Sequence, residues 1–339
     1  MNAMMKREIE AQGELLAQVQ PQLAARADEM TPPAGRVFVG GCGDSAFAPR
    51  ALCGVFEVLG QPFQPRTSME LASFTRFKAG DCVVLSSISG GTKRTVEAAE
   101  VARSAGARTI AVTCNADSAL AKVADETMLL PYQPLSRKTP HTLDYTVTLL
   151  ALVELARRFS GRPAAAVKPV LDAVPQALSL TRQAAVSAVA GYRPGTKIVV
   201  LGAGPDLGSA EYGAAKFHEA GGLIAIAAET ENFVHGMNFM LEPQDTVIAL
   251  GGTPVGLKRA RQVVGAFEGW LGNGYVFAVG EKQGEAWQSA FSAVLDTTFF
   301  LQWTCLAIAD QLAFPLEEPR AGRPDGSTYL SIQRQLMAD

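Results

Sequence analysis

The chain has 339 residues, 48% of them hydrophobic and 19% charged, and it carries a formal net charge of −3. This composition supports a buried core and excludes a disordered chain. The charge is balanced and no Lys/Arg cluster stands out, so the sequence predicts no basic surface for nucleic acid. The sequence shows no uninterrupted apolar run of about 18 residues and no signal-peptide-like apolar stretch near its start. We therefore expect a soluble, cytoplasmic protein without a nucleic-acid or membrane partner.

Metal-binding patterns are absent from the sequence. The five cysteines are odd in number and widely spread, with neither a C-x-x-C pair nor a zinc spacing, and the chain has three histidines. We therefore expect reduced thiols, as in the cytoplasm, and neither a metal site nor a cofactor.

The first half of the chain predicts an α/β unit. Residues 1–34 are expected to form a helical segment, interrupted at Pro21. From 35 to 160, short apolar runs alternate with amphipathic stretches, which predicts a parallel sheet with helices on both faces. The predicted strands are 35–41, 81–87, 108–113 and 126–131, and the predicted helices are 45–59, 92–105, 117–124 and 142–160.

The same order recurs in residues 195–315, and residues 316–339 form a C-terminal tail. TKIVVLGAG (196–204) resembles GRVFVGGCG (35–43), and DTVIALGG (245–252) resembles DCVVLSSI (81–88). We interpret this as a duplicated α/β unit. Chance similarity between two parallel units is the alternative.

The loop Ser86-Ser87-Ile88-Ser89-Gly90-Gly91-Thr92 lies between a predicted strand and a helix. The first N–H groups of a helix are unpaired and carry the positive end of its dipole, so they favour an anion. The loop adds three hydroxyl donors at Ser87, Ser89 and Thr92, and together these groups predict a phosphate site. The alternative is a Ser/Gly turn with Thr92 as the N-cap. The equivalent loop of the second unit, 251–256, has lost the serines, which favours the phosphate interpretation.

A second loop, Gly41-Cys42-Gly43-Asp44-Ser45, also joins a predicted strand to a helix. It lies at the carboxyl end of the strand, where open α/β sheets bind ligands. A cap of the following helix by Asp44 or Ser45 is the simpler interpretation, and the two are compatible.

The two loops together resemble the sugar isomerase (SIS) domain, which has a GCGTS-like turn followed by an SxSGxT phosphate loop. The chain is similar to the isomerase half of glucosamine-6-phosphate synthase and to deglycases that split phosphorylated fructosamines. The resemblance implies two tandem flavodoxin-like SIS units, each a parallel sheet flanked by helices, and a phosphorylated sugar or amino sugar as ligand. The substrate-binding residues that it implies are Gly43, Asp44, Ser45, Ser87, Ile88, Ser89, Gly90, Thr92 and Lys138.

The second unit carries the residues that the resemblance marks as catalytic. A predicted helix contains Lys216 and Glu219, matching the family's KxxE, and His235-Gly236 follows in register. The resemblance implies that Glu219 moves a proton between C1 and C2 of the sugar. It implies that His235 assists ring opening from a neighbouring subunit, hence a homodimer. Without the resemblance, a solvated glutamate and an ordinary loop histidine would be the simpler interpretation.

The chain departs from the synthase in ways that affect the expected reaction. It has no lysine after Lys282, whereas the synthase tail carries a lysine that forms a Schiff base with the sugar. Lys138 and His141 lie in a segment that matches the synthase only loosely. We therefore expect a deglycase of a fructosamine 6-phosphate. An aldose–ketose phosphosugar isomerase and a non-catalytic sugar-phosphate sensor are the alternatives.

Overall fold

The computed structural model describes residues 2–61, 63–136, 140–317 and 325–338, and it contains two parallel sheets. The strands of the first are β1 (Val37–Gly41), β2 (Phe63–Thr67), β3 (Cys82–Ser86), β4 (Arg108–Thr113) and β5 (Glu126–Leu129). The helices of this part are α1 (Ala3–Asp28), α2 (Asp44–Ala51), α3 (Cys53–Val58), α4 (Ser68–Ser73), α5 (Lys93–Ser104), α6 (Ala119–Val123) and α7 (Leu143–Phe159). The strand order is β2-β1-β3-β4-β5.

The second sheet repeats the arrangement with four strands in the order β7-β6-β8-β9. These are β6 (Ile198–Gly202), β7 (Ala225–Glu229), β8 (Thr246–Gly251) and β9 (Asn273–Ala278). The remaining helices are α8 (Lys168–Asp172), α9 (Val174–Val189), α10 (Asp206–Glu219), α11 (Thr230–Val234), α12 (Pro254–Ala266), α13 (Ala286–Gln311) and α14 (Gly326–Ala338). The predicted fold class, two parallel α/β units, is confirmed.

The central strands are buried on both faces because apolar residues occupy both. In β1, Val37 and Val39 belong to the large core, while Phe38 packs into a separate cluster on the outer face of the sheet. β6 has the same alternation, with Ile198 and Val200 in the large core. The large core also includes α1, α7, α9 and α13, so these helices fill the space between the inner faces of the two sheets. Continuous apolar runs of this kind are typical of parallel strands covered by helices.

Helix α13 corrects one expectation from the sequence. By length and composition it could cross a membrane, although no membrane-length run was expected. The tested window is 94% buried inside the protein. The core helix of a soluble protein passes the same test, so this finding is weak evidence for a membrane span.

Proline positions account for two further differences from the predicted elements. Pro21 was expected to interrupt the first helix, but α1 continues through it from Ala3 to Asp28. A proline inside a helix removes one hydrogen bond, and the burial of one face of α1 against the core outweighs that loss. The strand β2 was not predicted, and it contains Pro65. It lies at the edge of the sheet, where a strand proline is tolerated.

The two units meet where α2 of the first packs against α10 of the second. Gly208 of α10 lies against the backbone of α2, so closely that a Cβ at this position would be 2.2 Å from the amide nitrogen of Ala51. This close approach brings the start of α2, at Asp44, near the end of α10, at Glu219. A glycine at 208 is therefore required by packing.

We predict that Gly208→Ala destabilises the protein by about 1–3 kcal/mol, because the added methyl group must push backbone atoms apart. The melting temperature of the purified variant checks this. Gly265→Ala is the control: position 265 lies in α12, and a Cβ added there would have open space within 4 Å, so this variant should melt at the same temperature or slightly higher. Equal melting temperatures for the two variants would contradict the packing argument.

Candidate active site

A cavity of about 360 Å³ opens at the carboxyl ends of β1 and β3. Residues from both units line it, which is the position that an open α/β sheet offers a ligand. The lining residues are Cys42, Asp44, Ser45, Ser86, Ser87, Ile88, Ser89, Thr92, Pro134, His141, Asp144, Tyr145, Thr148 and Glu219.

One wall of the cavity is the β3–α5 loop, which presents hydroxyl and amide donors. The hydroxyls of Ser87 and Thr92 lie 3.0 Å apart. Thr92 occupies the N-cap position of α5, yet its side chain makes no capping hydrogen bond. Gly90 has a φ of +66°, and a Cβ there would be 2.1 Å from Ser118 Oγ, so only glycine fits this turn. The loop therefore keeps donors for an anion at the helix N-terminus.

The equivalent loop of the second unit is satisfied by the protein itself. The hydroxyl of Thr253 accepts a hydrogen bond from the Gly256 amide at 3.0 Å and so caps α12. The carboxylate of Asp206 accepts a hydrogen bond from the Gly252 amide at 2.8 Å. Burial raises the pKa of Asp206 to about 6. An internal carboxyl group thus occupies the place where a bound anion would meet the loop amides.

A cluster of three charged residues lies where α2 meets α10, and two of them, Asp44 and Glu219, line the cavity. Lys216 is fully buried, and its Nζ lies 2.8 Å from Asp44 Oδ2 and 2.7 Å from Glu219 Oε2. Burial by itself would lower the pKa of Lys216, but the two carboxylates outweigh it and raise that pKa. Burial raises the pKa of Asp44; the Lys216 ammonium offsets part of that effect, and the nearby Glu219 charge adds to it.

A second polar group, His141, is oriented by a buried carboxylate. His141 Nδ1 lies 2.8 Å from Asp144 Oδ2, and the hydroxyl of Tyr132 donates to Asp144 Oδ1. The hydrogen bond to Asp144 raises the pKa of His141, although burial opposes it. An imidazole held by a carboxylate in this way is suited to donate or accept a proton. The sequence placed His141 in a segment that matches the synthase only loosely, and it did not identify Asp144. The available signal was their spacing of three residues at the start of an apolar helix.

Seven of the residues singled out from the sequence line this one cavity: Asp44, Ser45, Ser87, Ile88, Ser89, Thr92 and Glu219. Gly43 and Gly90 shape the two loops, both with positive φ. Lys138 lies outside the described residues. His235 follows α11 and is not among the residues that line the cavity of its own chain.

The chain is similar to known proteins both in sequence and in fold. The SIS domain family matches residues 32–158 and 192–261, more than half of the chain. A 3-hexulose-6-phosphate isomerase from Mycobacterium gastri is 36% identical over 133 residues, which cover 37% of this chain and 60% of that protein. The chain thus matches less than two thirds of that relative's length.

Two solved structures illustrate the fold relationship. A glucosamine-6-phosphate deaminase from Thermotoga maritima has a TM-score of 0.75 at 19% identity, covering 94% of this chain and 98% of that one. A tagatose-6-phosphate ketose/aldose isomerase from Escherichia coli has a TM-score of 0.70 at 18% identity, covering 90% of this chain and 93% of that one. At these identities the comparison shows a shared fold.

We predict that His141 titrates above the ordinary histidine value of about 6.5, and that Asp144→Asn lowers its pKa. The Asp144 carboxylate stabilises the imidazolium, so this contribution to stability is present at low pH and is lost as the pH rises through the raised pKa. NMR titration of the imidazole signals measures the pKa, with His141→Gln identifying the resonance. An unchanged pKa in Asp144→Asn would show that the carboxylate does not hold the imidazolium.

Proposed function

The chain belongs to the SIS domain family, and from this premise we propose that it is a deglycase that cleaves a fructosamine 6-phosphate to a hexose 6-phosphate and an amine. One observation carries the proposal: Glu219, at the end of α10 in the second unit, lines the same cavity as the phosphate-type loop with Ser87, Ser89 and Thr92 in the first. A substrate fixed at its phosphate would place its other end within reach of a carboxylate.

The phosphate would bind the hydroxyls of Ser87, Ser89 and Thr92 and the first amides of α5. Such donors need no cation, because an N-terminal helix end favours an anion and hydroxyls add charge-assisted hydrogen bonds. Ile88 supplies no polar group beyond its backbone. Ser45, Gly43 and Gly90 would border the ligand from the two turns, and Lys138 is proposed to contact it by resemblance.

The reaction needs a base that works at two neighbouring carbons. Glu219 would remove a proton from C1 of the open-chain ketosamine, forming an enolamine, and return a proton to C2. The resulting imine adds water and separates into the amine and a hexose 6-phosphate. The carboxyl group ends the cycle in its starting state, as general acid–base catalysis requires.

Ring opening needs a second proton-transfer group, and two histidines are candidates. The resemblance assigns this role to His235 from a neighbouring subunit. In support, His235 lies in the same segment as Phe239, which is 90% exposed, so a second copy of the chain could cover this segment in a homodimer. His141 is the candidate within the chain's own cavity, already oriented by Asp144.

Aldose–ketose isomerisation of a phosphosugar is the second candidate function. It would use the same proton transfer by Glu219 without the loss of an amine. The relatives favour it: one is a 3-hexulose-6-phosphate isomerase and another a ketose/aldose isomerase. The two functions differ in their products, since only the deglycase releases an amine.

We predict that purified protein releases hexose 6-phosphate and amine from fructosamine 6-phosphates, and that Glu219→Gln lowers kcat by about 100-fold or more. Both products are measured over time in the same reaction. Glu268→Gln, which removes an exposed carboxylate after α12, is the control and should keep the wild-type rate. Solvent deuterium exchange at C1 or C2 without amine release would instead support the isomerase.

We further predict that Thr92→Val weakens binding of glucitol 6-phosphate about 10-fold, equivalent to about 1.4 kcal/mol, because one hydroxyl donor is lost. Thr253→Val in the second unit is the matched control. It removes a helix cap worth about 1 kcal/mol of stability and should leave the affinity unchanged. Titration calorimetry gives the affinity and thermal melting gives the stability. Equal affinities for both variants would remove the β3–α5 loop from phosphate binding.

A further inference from the structure

The part of the cavity where α2 meets α10 holds an uncompensated negative charge. One buried ammonium, Lys216, serves two carboxylates, those of Asp44 and Glu219. Only one oxygen of each carboxylate contacts Lys216, and among the described residues neither Asp44 Oδ1 nor Glu219 Oε1 has a hydrogen-bond partner. Both residues line the cavity, with side chains 23% and 44% exposed.

The other charged groups near this junction are paired. His141 is paired with Asp144, whose second oxygen accepts from the Tyr132 hydroxyl. Arg50 of α2 is paired with Glu211 of α10 at 2.6 Å. Among the described residues that line the cavity, His141 is the other group that can carry a positive charge, and it lies close enough for its charge to act on Asp44. Its ring is paired with Asp144, and it makes no hydrogen bond to the free oxygens of Asp44 and Glu219. Two carboxylates this close together repel one another, and a second cation would relieve that repulsion.

The cavity therefore contains groups for both an anion and a cation. Hydroxyl and amide donors lie at the β3–α5 loop, and two carboxylates, each with one oxygen unpaired among the described residues, lie where α2 meets α10. We infer that Asp44 and Glu219 form a subsite for a protonated amine. The preferred ligands are then phosphosugars that carry an ammonium group rather than phosphosugars that lack one. Asp44 is the specificity-determining residue, because Glu219 is also needed for proton transfer. This inference rests on the proposed function in that it takes a phosphosugar as the ligand.

A matched pair of unreactive ligands tests the subsite without any turnover. Glucamine 6-phosphate (1-amino-1-deoxyglucitol 6-phosphate) and glucitol 6-phosphate differ in one amine, and neither has a carbonyl group. We expect wild-type protein to bind the amine about 10-fold or more tightly at pH 7 by titration calorimetry, as a charge-assisted hydrogen bond in a shielded site should give. Equal affinities would overturn the inference, and this comparison needs no variant.

Substitution then tests the assignment of Asp44. Asp44→Asn should reduce the preference, measured as the ratio of the two affinities in the same variant, to about twofold or less. Asp172→Asn removes a remote carboxylate, 62% exposed in its ion pair with Lys168, and should leave the preference intact. A retained preference in Asp44→Asn, or an equal loss of affinity for both ligands, would show that Asp44 acts only by holding Lys216.

The proposed function and the subsite fail in different ways. A strong amine preference without release of hexose 6-phosphate would reject the deglycase and keep the subsite. Deglycase turnover together with equal binding of the two unreactive ligands would keep the deglycase and reject the subsite.

Discussion

The contact of the Lys216 ammonium with Asp44 and Glu219 is the interaction on which the site depends. It joins the first residue of α2 in one unit to the end of α10 in the other. A fully buried ammonium without partners would cost several kcal/mol, so both carboxylates stabilise the folded state. The ion cluster that fixes the two units against each other therefore also fixes the position of the proposed catalytic base.

Packing holds the same junction from the apolar side. Gly208 permits α10 to approach the backbone of α2 closely. One turn further along α10, the ring of Tyr212 stacks on that of Tyr145 with the ring centres 3.8 Å apart. Tyr145 lines the cavity, so the core extends to the edge of the site. Such support matters because a catalytic group must be held within a fraction of an ångström of its working position.

The duplicated units show how one turn serves two purposes. In the first, Thr92 leaves its helix uncapped and the loop donors face a cavity. In the second, Thr253 caps its helix and the Asp206 carboxyl group takes an amide of the loop. The backbone pattern is shared, and the side chains decide whether the anion comes from a ligand or from the protein. The proposed phosphate site is therefore in the first unit.

The sequence by itself determined the parallel α/β units, because apolar runs and helix-ending glycines are local signals. It also pointed to the loop after β3 and, through the family resemblance, to Glu219, and the structure brings both to one cavity. It did not predict the edge strand β2, since a proline there is compatible with a strand only at a sheet edge. Tertiary structure alone decided that Asp44, Lys216 and Glu219 form one cluster and that Asp144 orients His141. These groups come together through the packing of separate units and loops, and charge balance between distant residues leaves no periodic pattern in the chain.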